Sequence, residues 1–314
     1  MSEPVAIIGA GMAGLACATA LAERGIETRL FDKGRGPGGR MSTRRVEIGG
    51  QTVRFDHGAQ YFTARDEAFR TKVGQWQDAG VAAPWPAAGD DAWVGTPAMN
   101  APIRHMAGAL DVEWATRCDS LARDGERWIL GFGERQESFA KVVSAIPAEQ
   151  AAELLSPAAP ELAQLASSAK SDPCWALMLA FEEPLPLEED VLRPESGRIG
   201  WAARDSAKPG RAPGERWVVH ASAAWSREIL EHSPDAAADA ILTAFFEVTA
   251  CPPVEPSHSA AHRWRYAKVD PADASAPAVW DAQRGIGLAG DWLVGPRVGD
   301  AWASGHALAA MMAP

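Results

Sequence analysis

Residues 5–41 read VAIIGAGMAGLACATALAERGIETRLFDKGRGPGGRM. The apolar residues 5–8 predict a buried strand, and Gly9, Gly11 and Gly14 a glycine turn. A helix of small side chains over 13–24 and a second strand over 28–31, ending on Asp32, follow. Each glycine has its own task in such a turn. Gly9 makes the tight bend, Gly11 lets the backbone approach a diphosphate, and Gly14 lets helix lie close to strand. The helix start, with Met12 and Ala13, offers unpaired N–H groups and a partial positive charge to phosphate oxygens. Asp32, about 20 residues beyond the turn, can accept a hydrogen bond from a ribose hydroxyl. Strand, turn, helix, strand and acid in this order predict a bound dinucleotide.

The residues after Asp32 narrow which dinucleotide. Lys33 to Met41 form a second glycine-rich loop, and no acidic residue intervenes before Glu47. Lys33, Arg35, Arg40, Arg44 and Arg45 concentrate positive charge in a chain of formal net charge −11. A flexible basic loop suits a second pass along a diphosphate, which a nicotinamide-binding Rossmann unit does not need. This loop, with Gly39, Arg40 and Met41 at its end, resembles the arginine-containing glycine motif that follows the first βαβ unit in glutathione-reductase-type flavoproteins. The resemblance implies FAD, bound non-covalently.

Composition removes several classes of function. At 47% hydrophobic residues the chain can bury a large core, so extensive disorder is not expected. No run approaches the roughly 20 apolar residues that span a bilayer. The first strand follows Met1 too closely for a secretory signal, which predicts a cytoplasmic protein. Cys17, Cys118, Cys174 and Cys251 lie far apart without metal-ligand spacing, predicting reduced thiols and no metal site. The acidic balance disfavours nucleic acid as a partner.

Further along, residues 44–48 and 52–56 read as a hairpin around Gly49-Gly50, 66–79 as a helix burying Phe69, Val73 and Trp76, and 82–91 as a loop. A helix over 99–110 precedes a β-meander of 112–117, 118–123, 127–132 and 138–145. Residues 148–169 read as helical. Strands at 174–182, 199–204, 217–223 and 257–266, with a helix at 236–248, suit an antiparallel sheet covered on one face. Residues 285–291 return to a buried parallel strand ending on Gly290 and Asp291, and the last helix covers 301–312.

A strand ending on Gly-Asp, followed by a helix start at Val298, Ala301 and Trp302, also suits a flavin. The Asp291 carboxylate can hold a ribityl hydroxyl, and the helix N-terminus can face a carbonyl or phosphate oxygen. The two ends of the chain can share one ligand only if the cofactor domain is discontinuous. The expected fold is α/β plus α+β: an FAD-binding Rossmann-type domain (1–62, 95–150 and 268–314) and an inserted substrate domain on an antiparallel sheet (63–94 and 151–267).

With these segments in hand, the chain resembles the renalase-like members of the flavin-containing amine oxidase superfamily. The segments Phe31 to Met41 and Gly290 to Val298 are similar to the superfamily as a whole. The segments Asp56 to Thr63 (DHGAQYFT) and His262 to Ala267 (HRWRYA) point to the renalase branch. The resemblance implies an oxidase that takes a hydride from a nonstandard dihydronicotinamide isomer of NAD(P) and passes electrons to O2, giving H2O2. It also implies that Gly58, Ala59 and Gln60 lie near the flavin, with Arg40 and Met41, and that the backbone of Cys118 meets the adenine. Asp32 departs from the family's frequent glutamate at this place; both acids can hold a ribose hydroxyl.

Hydride transfer from a dihydropyridine needs positioning but no obligatory acid or base. Tyr61 is the candidate for one wall of the substrate slot. His262, Trp264 and Tyr266 alternate along a strand, so they share one face, with Arg263 and Arg265 on the other. An amine oxidase or desaturase acting on another small substrate fits the same residues, as does an FAD-bound scaffold or redox sensor without turnover. Oligomeric state is not legible.

Overall fold

The computed structural model describes residues 3–313. Strand Val5–Ile8 is wholly buried between parallel neighbours Thr28–Phe31 and Val142–Ser144, with Ile8 level with Phe31 on one side and Ser144 on the other. Ile286–Leu288 continues the sheet in parallel, Val112–Glu113 forms one edge, and the antiparallel Val279–Asp281 forms the other. Burial on both faces explains why these strands read as unbroken apolar runs.

The chain's first and last helices, Met12–Ala22 and Val298–Met312, pack against each other on this sheet. Their close approach depends on missing side chains. A Cβ on Gly305 would lie 2.0 Å from the Ala13 carbonyl oxygen, and one on Gly14 would lie 1.9 Å from that of Gly9. Gly9 itself sits at φ +101°, a conformation other residues rarely adopt.

The second layer is a five-stranded antiparallel sheet in which Lys170–Phe181 lies between Glu215–Ala221 and His258–Asp270. Its central strand sorts by alternation. Leu177, Leu179 and Phe181 pack in a core with Ile241 and Phe245 of helix Pro234–Thr249. Met178 and Ala180 pack with Phe55 and the valines of the hairpin Arg44–Ile48 and Gln51–Phe55. That hairpin turns at Gly49 and Gly50, both with positive φ, as a two-residue loop requires.

The fold is the expected one, with differences in detail. Val112–Glu113 does not belong to the meander. It pairs with Thr28–Phe31, and the meander is Ser120–Asp124, Arg127–Phe132 and Arg135–Phe139. Residues 138–145 divide between that meander and the central strand Val142–Ser144, because the main sheet takes the fully apolar part. Residues 82–91 are not a plain loop. Ala82–Pro84 pairs with Ala92–Gly95, which pairs with Phe62–Thr63, and Pro86–Ala88 is a turn of 3-10 helix. Helix Glu67–Asp78, capped by the Asp66 carboxylate on the Phe69 N–H, buries Phe69, Val73 and Trp76. These side chains join the core that holds Leu15 and Ile7.

Candidate functional site

A cleft of about 2620 Å³ runs from the first glycine turn to the antiparallel sheet. Single small ligands occupy roughly 300–1,000 Å³, so this space suits a dinucleotide and a second molecule. Every residue anticipated for the cofactor lines it except Gly14 and Trp302, and Tyr61, His262 and Trp264 line it too. Gly14 takes the helix–strand packing role anticipated for it. Trp302 does not face the cleft. Its ring is stacked on His306 at 4.9 Å and lies 5.4 Å from Phe69, on the far side of the helix. Helical periodicity turned the large side chain into the core while Val298 and Ala301 stayed on the cleft side. Trp292, beside the Gly-Asp motif, is likewise buried and donates to the Ile146 carbonyl at 3.2 Å.

At the cofactor end, Asp32 ties two glycine loops together. Its Oδ2 accepts the Ala10 N–H at 2.7 Å and its Oδ1 the Gly34 N–H at 2.6 Å. Each carboxylate oxygen retains accepting capacity for a ribose hydroxyl. A Cβ on Gly11 would meet nothing within 4 Å, so the backbone there opens onto the cleft. Helix Met12–Ala22 begins at Gly11 without a side-chain cap, leaving its first amides available to phosphate. These features fit a dinucleotide diphosphate.

The two ends of the chain meet through Arg40, which donates two parallel bonds to Asp291 at 2.6 and 2.7 Å. The Asp291 side chain is buried, and bidentate charge-assisted pairs are among the stronger polar contacts. Gly58 docks on the same turn, where a Cβ would lie 2.1 Å from the Arg40 carbonyl oxygen, and Ala59 donates to that oxygen at 2.8 Å. Gln60 is thereby fixed beside the cleft.

Beneath Gln60 lies a cluster with no counterpart in the sequence reading. Lys208, Asp56, Asp205 and Arg211 are all buried, Lys208 completely. Lys208 Nζ reaches Asp205 at 2.7 Å and Gln60 Oε1 at 3.2 Å, while Asp56 accepts from Thr43 at 2.6 Å and from the Met99 N–H at 2.9 Å. Burial would raise the Asp56 carboxyl, but Lys208 and Arg211 outweigh it and hold the group below the usual carboxylate range. Two acids and two bases in reciprocal contact satisfy each other; removing one would strand a buried charge. No sequence signal announces this, because lysines are rarely buried at all.

The other end of the cleft is a face of the antiparallel sheet. His220 and His262 both lie opposite Ala176 on neighbouring strands, and Trp201 lies opposite His220, so these side chains share one side. The Trp264 ring is 4.5 Å from His262 and 5.1 Å from His57, and its Nε1 donates to the His57 carbonyl at 2.9 Å. Tyr61 lies 5.3 Å from Trp201, with the Arg193 guanidinium over both rings. Arg263 and Arg265 pair with Glu231, and Arg263 also sits over the Trp175 ring on the other side of the sheet.

The three histidines are poor bases. Burial, helped by His262 and Arg44, pushes His57 down to about 3. Burial lowers His220 to about 4, and burial with Arg44 lowers His262 to about 4. All three are neutral at pH 7. The cysteines are free, and burial pushes Cys118, which lines the cleft, up to about 11. Among the described residues no cluster of His, Cys, Asp and Glu could hold a metal, and no helix is long and apolar enough to cross a membrane.

Charge is distributed unevenly. Besides Arg263 and Arg265, which pair with Glu231, eleven Lys and Arg residues line the cleft against five Asp and Glu, although the chain holds 30 of the former and 41 of the latter. An acidic protein therefore presents a basic cleft.

Residues 7–72 match the NAD(P)-binding Rossmann-like domain, and residues 87–312 match the flavin containing amine oxidoreductase family. The second match spans well over half of the chain, which belongs to the flavin-containing amine oxidoreductase family. It is an FAD-dependent oxidoreductase. Two curated relatives match over short stretches: a carotenoid phi-ring synthase of Streptomyces griseus (44% identical over 59 residues, 18% of this chain) and a hydroxyneurosporene desaturase of Rubrivivax gelatinosus (44% over 70 residues, 21%). These matches span 11% and 13% of the relatives' own lengths. Three solved structures share the fold. A protein from Exiguobacterium assigned as a protoporphyrinogen oxidase superposes with TM-score 0.77 at 14% identity, and cyclohexylamine oxidase from Brevibacterium oxydans with 0.71 at 14%, each over 99% of both chains. A fatty acid isomerase from P. acnes does so with 0.69 at 11%, over 100% of this chain and 99% of its own. At such identities the likeness concerns the fold alone.

Proposed function

We propose that this protein is a renalase-like oxidase of nonstandard dihydronicotinamide isomers of NAD(P). The observation that carries this reading is the basic cleft in an acidic chain. An anionic dinucleotide is drawn to it, whereas a protonated amine is repelled. FAD, which Gly9, Gly11, Asp32 and Arg40 would hold, would supply the redox chemistry of hydride acceptance and electron transfer to O2, with H2O2 as product. The chain's own residues bind and orient. Tyr61 and Trp201 offer one aromatic wall for a flat ring, and His262 and Trp264 offer another. The neutral imidazoles suit a substrate whose oxidation leaves an aromatic cation and releases no proton to an obligatory base. In this reading residues 1–62, 95–150 and 268–314 hold the cofactor, and 63–94 with 151–267 shape the substrate side.

Anaerobic stopped-flow mixing tests the proposal. A 6-dihydro-NAD isomer should bleach the flavin within seconds, and simple amines should leave it oxidised. Bleaching by amines alone would move the protein to the amine-oxidase reading. Reduction by dihydronicotinamide without peroxide on re-aeration would make it a sensor rather than an oxidase.

A further inference from the structure

In the hairpin formed by Arg44–Ile48 and Gln51–Phe55, Arg45 stands directly opposite Arg54. Both are exposed, and both line the cleft. Among the described residues neither has a hydrogen-bonded or ion-paired partner. Directly opposed like charges weaken a strand pair, so this arrangement costs the free protein stability. The chain has 41 acidic residues with which such a pair could have been neutralised. Glu47, on the same face, is instead bonded to Thr52.

The neighbouring Arg44 reaches His262 Nδ1 at 3.2 Å, on the sheet face where the substrate ring is placed above. Phe55, next to Arg54, packs into the core beneath the hairpin, so Arg45 and Arg54 lie on its opposite face, at the rim. A substrate whose ring sits beside His262 and whose tail leaves the cleft passes this rim. Two guanidinium groups side by side match the oxygens of a diphosphate. We propose that Arg45 and Arg54 form a clamp for the diphosphate of the substrate's dinucleotide tail. This rests on the dinucleotide reading of the function. The cofactor's own diphosphate has its cradle at the Gly9–Gly14 turn.

The test compares the holoenzyme with its Arg45→Gln/Arg54→Gln variant, using calorimetric binding of ADP-ribose, which carries the diphosphate tail without a nicotinamide. The wild type should bind it, and the double variant should bind roughly tenfold or more weakly, with a shallower dependence on salt. Binding of free nicotinamide, which is uncharged and lacks the tail, should change less than twofold. The ligand-free variant should melt at the same or a slightly higher temperature, since a repulsive pair is gone. Equal affinity of both proteins for ADP-ribose overturns the clamp, and so does loss of FAD from the variant, which would assign the pair to the cofactor. If no dihydronicotinamide reduces the wild-type flavin, the substrate reading fails, while ADP-ribose binding still decides the clamp.

Discussion

At the scale of single residues, the site is built from side chains whose protonation is set by their surroundings. His57, His220 and His262 have native pKa values pushed from the ordinary 6.5 to about 3, 4 and 4. Their neutral forms are the ones compatible with the folded site, so their contribution to stability is fully present above about pH 6.5. It is lost as pH falls from there toward about 4. One buried histidine of this kind destabilises the fold by on the order of 1–2 kcal/mol at pH 5. The urea midpoint should therefore drop between pH 7 and pH 5, and His57→Asn should drop less than the wild type. An equal drop in both proteins would mean that His57 carries its proton in the folded state. Some of these residues were legible in advance. Tyr61, His262 and Trp264 stand in distinctive segments and do line one cleft. His220 and Lys208 were not, because each follows a sequence with no motif and enters the site through sheet register and burial.

At the scale of elements, the last helix shows how periodicity limits motif reading. The sequence places Val298, Ala301 and Trp302 together at a helix start, but adjacent positions on a helix point about 100° apart. Ala301 faces the cleft, and Trp302 packs on Phe69 and His306. Trp302→Ala should thus act through packing, costing about 3–5 kcal/mol of unfolding free energy. The flavin absorption spectrum of the folded variant should match that of the wild type. A shifted flavin band with unchanged stability would return Trp302 to the cofactor site. The meander shows the same limit in strands. Residues 112–117 have strand character, but which sheet they join depends on the vacant edge beside Thr28–Phe31.

At the scale of the whole molecule, the opposed signs of the cleft and the chain bear on the proposed anionic substrate. Attraction between an anion and the basic cleft is screened over a Debye length of about 8–10 Å at physiological salt. The second-order rate of flavin reduction by an anionic dihydronicotinamide dinucleotide should fall several-fold between about 20 and 300 mM salt. The corresponding uncharged riboside should show little change. Salt-independent reduction by the dinucleotide would remove the electrostatic support for the proposed substrate. The sequence alone determined the cofactor class, since a glycine turn, a helix start and an acid are local features whose spacing encodes their geometry. It also determined that the cofactor domain is split, because two flavin motifs lie at opposite ends of one chain. Only the tertiary structure decided which aromatic residues face the cleft, that Arg40 closes the split site onto Asp291, and that basic residues gather in the cleft of an acidic protein. Those outcomes depend on which faces of distant strands and helices are brought together, and burial against a partner is not written in either segment by itself.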